Sequence, residues 1–202
     1  MKRHFLRALL GAALASFAVG AFAAKGPYDV VKIMSFSCPL CREAESQDPL
    51  IAKAVVAQGG KFEWAPVPTD ANDLDGAPEK VYYASRQFGA RFSGEVKDSI
   101  YKAIQDLSVP MYNFPQVYSW LGQDLPAQDY PTLQKLEKAT SEGQGTAALS
   151  RAARLSINAG VTHTPGYVIL RDGRIVHLDD PTVVRGGSLL LLRQLVIQQI
   201  QH

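Results

Sequence analysis

Val30-Val31-Lys32-Ile33-Met34-Ser35-Phe36-Ser37-Cys38-Pro39-Leu40-Cys41 is the stretch on which the reading of the chain turns. Its first half, Val30–Phe36, is a short apolar run rich in β-formers, which predicts a buried strand. Helical character begins at Cys38, with Pro39 suited to the first helical position. Leu40, Cys41 and Ala44 are expected to face inward, and Arg42, Glu43 and Glu45 to face water. A cysteine that follows a strand and opens a helix meets unpaired backbone N–H groups and the positive end of the helix dipole. Both favour thiolate over thiol. Pro39 supplies no N–H itself and leaves the other donors free. Cys38 then reads as the attacking or leaving sulfur, and inward-facing Cys41 as the resolving one.

Working outward toward the N-terminus, Lys2, Arg3 and Arg7 precede an apolar run, Ala8–Ala23, that ends in Ala21-Phe22-Ala23. A basic start, an apolar stretch and a small-x-small end form an export leader, with cleavage expected after Ala23. The domain proper is then 24–202. Of the 21 Lys and Arg, three lie in the leader, leaving 18 against 19 Asp and Glu, a net of −1. The formal +2 of the whole chain therefore belongs to the leader, and nothing points to nucleic acid. Export places the chain in an oxidising compartment, where cysteines are commonly staples. A bridge between Cys38 and Cys41 closes so small a loop that it is worth only roughly 2 kcal/mol. A chain with 47% hydrophobic residues does not need that for folding. A pair that staples little is there for its chemistry. Half of a zinc site is the other reading, but a closed site needs four ligands. Only His163 and His177 remain outside the leader and the terminal His202, which argues against metal.

Toward the C-terminus, Pro49 interrupts the first helix, which resumes through Leu50, Ile51, Ala54 and Val55. Lys61–Val67 reads as a second strand. From about residue 70 to 159 the signals are helical and broken by Gly and Pro: Pro78–Phe88, Glu95–Leu107, Pro115–Leu121, Thr132–Ser141 and Thr146–Ala159. Tyr167–Arg171 and Arg174–Leu178 flank Asp172-Gly173, a strong hairpin signal. Ser188–Gln201 closes the chain as an amphipathic helix with Ser188 as N-cap. The order is β-α-β, a helical stretch too long to be a structureless loop, then β-β-α. Most of the aromatic residues are expected to be packing. Glu43 and Glu45 read as a solvated helix face, and Leu189–Leu192 as the buried end of the closing helix.

With the leader, the Phe36-Ser37-Cys38-Pro39-Leu40-Cys41 junction, the helical insertion, Gly160-Val161-Thr162-His163-Thr164-Pro165 and the hairpin-helix ending, the chain resembles the DsbA-like branch of thioredoxin-fold disulfide oxidoreductases. The resemblance implies an α/β thioredoxin-like fold (β-α-β plus β-β-α) with an inserted helical subdomain. It implies a periplasmic enzyme without metal or organic cofactor. Such an enzyme exchanges the Cys38–Cys41 disulfide with unfolded, cysteine-containing exported proteins and is reoxidised by a quinone-linked membrane partner. It makes Pro165 a cis proline beside the cysteines, and Thr164 a donor of backbone groups to an extended substrate. His163 adjoins that site.

Departures from the pattern matter too. Leu40 stands where the strong oxidases carry histidine, which weakens thiolate stabilisation. Lys32 stands where an acid is often buried, six residues before the nucleophile, and either sits charged near the sulfurs or snorkels to solvent. Pro39, Leu40 and Lys32 are thus the expected tuning positions. Residues 24–29 leave no room for an edge strand or a dimerisation domain, so a monomer is expected, and an oxidase or a dedicated reductase over a general isomerase. The other readings are a dedicated reductase and a chaperone or assembly factor on the same fold.

Overall fold

The structure is a computed structural model and describes residues 26–69 and 75–201; the leader lies outside these. Four strands form one sheet: β1 (Tyr28–Met34), β2 (Phe62–Pro66), β3 (Gly166–Arg171) and β4 (Arg174–Asp179). Their spatial order is β2-β1-β3-β4. The β1–β2 pair is parallel, and β1–β3 and β3–β4 are antiparallel. Among the described residues β2 and β4 are the two edges of the sheet.

The parallel pair needs a crossover, and α1 (Pro39–Ala44) and α2 (Asp48–Ala57) supply it. Pro49 sits in the first turn of α2, so it opens the second helix rather than kinking one long helix. The antiparallel pair β3–β4 turns on Asp172 and Gly173, both at positive φ, as the hairpin signal requires. Between β2 and β3 lie α3 (Ala77–Ser85), α4 (Ala90–Tyr101), α5 (Phe114–Asp124), α6 (Tyr130–Ser141) and α7 (Thr146–Ala159). The last helix, α8 (Leu189–Gln201), is capped by Ser188, whose Oγ accepts from Leu191 N at 3.4 Å.

The two faces of the sheet differ by the strand period of two. Val30, Tyr167 and Ile169 point to α2 and α8 and pack with Ile51, Val55, Leu192, Val196 and Ile200. Ile33 and Val168 point the other way, into a larger core shared with the inserted helices through Val81, Tyr82, Phe92, Ile100 and Leu121. This is an α/β thioredoxin fold with an inserted helical domain. Tyr82, Tyr83 and Tyr101 are core residues, as expected of most aromatics; Tyr112 is exposed.

Three local expectations are corrected. Strand β1 ends at Met34, and Ser35-Phe36-Ser37 form the turn into α1, closed by the Cys38 N–H donating to Ser35 O at 3.2 Å, with the Phe36 ring edge-on to Tyr82 and Tyr101. Leu40 is 42% exposed rather than inward-facing; only Cys41 and Ala44 of the predicted stripe are buried. Leu190 and Leu191 are exposed, so α8 buries only one flank of its leucine run.

Candidate active site

Cys38 is the N-cap of α1, with extended backbone at φ −93° and ψ 112°, and its sulfur accepts a hydrogen bond from Cys41 N at 3.3 Å. An N-cap side chain meets the orphan donors of the first turn by geometry alone. Pro39 occupies the first helical position. Cys38 is half-buried, Cys41 fully buried, and both are free thiols. The Cys38 thiol donates to Thr164 O at 3.3 Å. The Thr164–Pro165 peptide bond is cis, and Pro165 is buried. The turn before β3 thus faces the turn after β1, which joins two segments 126 residues apart.

Hydrogen bonding to the Cys41 side chain holds the Cys38 pKa well down, to about 6 from the ordinary 9.0; burial opposes this, and side-chain hydrogen bonding with Thr164 and the N–H groups of Cys41 and Leu40 assist. The Cys41 thiol is pushed up by its hydrogen bond to Cys38 and by burial. The two sulfurs therefore divide into a nucleophile and a protonated partner.

A pH dependence follows. Cys38 ionises near pH 6 folded and near 9 unfolded. A depressed folded value contributes stability that is complete above the unfolded pKa and is lost as pH falls through the folded one. The reduced protein should therefore gain stability relative to the oxidised form as pH rises from 5 to 8. Thermal unfolding of the two forms across that range checks it; a constant difference would contradict it.

Lys32 does not snorkel. It is 0% exposed, and its Nζ donates to Cys41 O at 3.0 Å and to Asp48 Oδ2 at 2.8 Å. Asp48, 1% exposed at the start of α2, also accepts from Trp64 Nε1 at 2.7 Å and from Tyr167 OH at 3.0 Å. The arrangement is built by register: Trp64 and Tyr167 are the partners of Lys32 on its two neighbouring strands. Three side chains in one row across the sheet thus converge on one carboxylate from the helix above. Sequence reading missed Asp48. The available signal was Lys32 itself, since a lysine buried in an apolar strand demands a counter-charge.

His163 is exposed, and its Nδ1 pairs with Thr162 Oγ1 at 3.0 Å rather than with either sulfur. Glu43 is solvated, but Glu45 is not a free surface charge: it accepts from buried Lys97 at 2.5 Å. Gln105, which the sequence did not single out, donates to the backbone of Phe36 and Cys38.

No family model matches the chain, and no curated protein matches it. Solved structures do. The oxidoreductase NmDsbA1 from N. meningitidis is similar at a TM-score of 0.64 and 16% identity, over 87% of this chain and 84% of that one. Pseudomonas aeruginosa DsbA gives 0.64 and 16%, over 87% and 85%. The oxidoreductase DsbA from Xylella fastidiosa gives 0.59 and 20%, over 88% of each. At such identity the likeness establishes the fold: this chain has the DsbA-like form of the thioredoxin fold.

Proposed function

We propose that the chain is a protein thiol–disulfide oxidoreductase of the periplasm that uses Cys38 and Cys41 to oxidise exported proteins. The observation that carries this reading is the division of the pair. Cys38 is half-exposed at a helix N-cap against the Thr164 carbonyl, while Cys41 is buried behind it. In this reading residues 1–23 are a removed leader and 24–202 the working enzyme, a monomer.

In the oxidised enzyme, a substrate thiolate attacks Cys38 Sγ. The Cys38–Cys41 bond breaks, and Cys41 leaves and takes up a proton, which its high proton affinity favours. A second substrate thiolate then attacks the substrate sulfur of the mixed disulfide. It displaces Cys38 as a thiolate, a good leaving group at its depressed pKa. Two electrons pass from the substrate dithiol to the enzyme, and the substrate gains a disulfide. During docking, an N–H of the extended substrate takes the Thr164 carbonyl, which lies 3.3 Å from Cys38 Sγ, as in strand addition. Leu40 and His163, each next in sequence to a residue of the site, are both exposed. A quinone-linked membrane protein restores the disulfide.

The direction is set by what stabilises the Cys38 thiolate, because that stabilises the reduced enzyme and makes its disulfide oxidising. Hydrogen bonding from the Cys41 side chain does so first here, with Thr164 and the helix-start N–H groups of Cys41 and Leu40 assisting against burial. Lys32 adds little, since Asp48 lies 2.8 Å from its ammonium and cancels most of its field. Leu40 supplies no side-chain donor. The result is a moderate oxidant. Equilibration with glutathione tests this: a pair that stays reduced wherever thioredoxin does would make the protein a reductase instead.

A further inference from the structure

The helix α4 continues through Lys102–Asp106 as a π-helical turn. Such wide turns are rare and concentrate at functional sites, because the extra residue re-aims the side chains that follow. Here two consecutive side chains reach the active-site segment. Gln105 Nε2 donates to Phe36 O at 2.7 Å and to Cys38 O at 3.1 Å. Asp106 accepts from Arg42, the residue after Cys41. The Arg42–Asp106 pair is solvent-exposed and weak by that fact. The Gln105 bonds are partly buried and fall on the backbone of the nucleophile itself.

We infer that Gln105 is a positioning residue for Cys38: its amide clamps the Phe36–Cys38 turn so that the first N–H groups of α1 stay aimed at the sulfur. The inference rests on the exchange function proposed above. The Cys38 carbonyl already accepts the first helical bond, from Cys41 N at 3.1 Å. Gln105 occupies its second lone pair. The turn is thereby held from both sides, by its own helix and by the inserted domain. The same donation has an electrostatic consequence. The Cys38 carbonyl oxygen carries partial negative charge within the residue that must hold the thiolate. A donor on that oxygen offsets part of this repulsion. Pro39 and Leu40 are exposed, so the clamp comes from elsewhere in the fold.

The test is the Cys38 pKa, followed by the pH dependence of thiolate absorbance and of alkylation rate in the reduced full-length domain. Thermal unfolding of each variant is measured alongside. Gln105→Met keeps the length and removes the donor; it should raise the pKa by roughly half to one pH unit. Gln105→Glu turns a carboxylate toward two carbonyl oxygens and should raise it further. Gln105→Lys keeps a donor and should retain the low value. Asp106→Asn breaks only the neighbouring ion pair and should not raise it. A Gln105→Met pKa equal to the wild-type value overturns the inference, as does an equal rise in Asp106→Asn, which would make the turn a mere structural anchor. An ordinary thiol pKa in the wild-type protein defeats the exchange reading itself, and is read before any variant is made.

Discussion

Cys41→Ser should convert the protein into a trap that accumulates mixed disulfides with its clients in stoichiometric amounts, while Cys38→Ser should form none and lose disulfide exchange by at least about a thousandfold. The asymmetry comes from the geometry of one helix start. Cys38 is half-exposed, and its thiol pKa is held down to about 6 by hydrogen bonding to the Cys41 side chain. Cys41 is 0% exposed, so a substrate cannot reach it directly. Without Cys41, a Cys38-linked client has no internal thiol to release it. Without Cys38, the remaining thiol is buried and protonated. Non-reducing electrophoresis of the two variants after incubation with reduced, unfolded proteins checks this. Equal labelling of both cysteines by an alkylating reagent in the native reduced protein would contradict the assignment.

The second large effect is on stability. Asp48→Ala should destabilise the fold by about 3–5 kcal/mol, because it strands a buried ammonium. For a domain of this size that lowers the melting temperature by roughly 10 °C or more. Lys32→Met should cost less, since Asp48 keeps Trp64 and Tyr167 as donors. The double variant Lys32→Met with Asp48→Leu should recover much of the loss, since replacing both charges by apolar groups removes their desolvation along with their attraction. A neutral Asp48→Ala would mean that the Lys32 ammonium is not held charged in the core. The Asp48→Ala protein must be studied well below its melting point to separate redox effects from unfolding.

The contrast between these two sites shows what sequence can and cannot reveal. The cysteine roles are local: Cys38, Pro39 and Cys41 lie within four residues, and the strand-to-helix junction that sets their chemistry is written in the neighbouring residues. The Asp172-Gly173 hairpin is equally local, because both residues adopt the positive φ that the turn demands. Lys32 was visible as an anomaly, but its resolution depends on Asp48, 16 residues on, and on the register that places Trp64 and Tyr167 beside it. No periodicity encodes that convergence. Gln105 was invisible for a further reason. The π turn that aims it, Lys102–Asp106, has no signature among the sequence signals for helices, which mark caps, breaks and a 3.6-residue period. Leu40 was misread because a six-residue helix at the surface follows its caps more closely than a helical stripe. The Thr164–Pro165 turn was placed by its resemblance to a family, and its distance to Cys38 comes from the fold.

The measurement that bears most directly on the account is the equilibrium of the Cys38–Cys41 pair in glutathione buffers of graded ratio, read by the mass added when free thiols are alkylated after acid quenching. The account predicts a single two-electron transition, more oxidising than thioredoxin at about −270 mV and less so than the strong DsbA oxidase at about −120 mV. A pair that forms no disulfide at any ratio, or a midpoint as low as thioredoxin's, would contradict it.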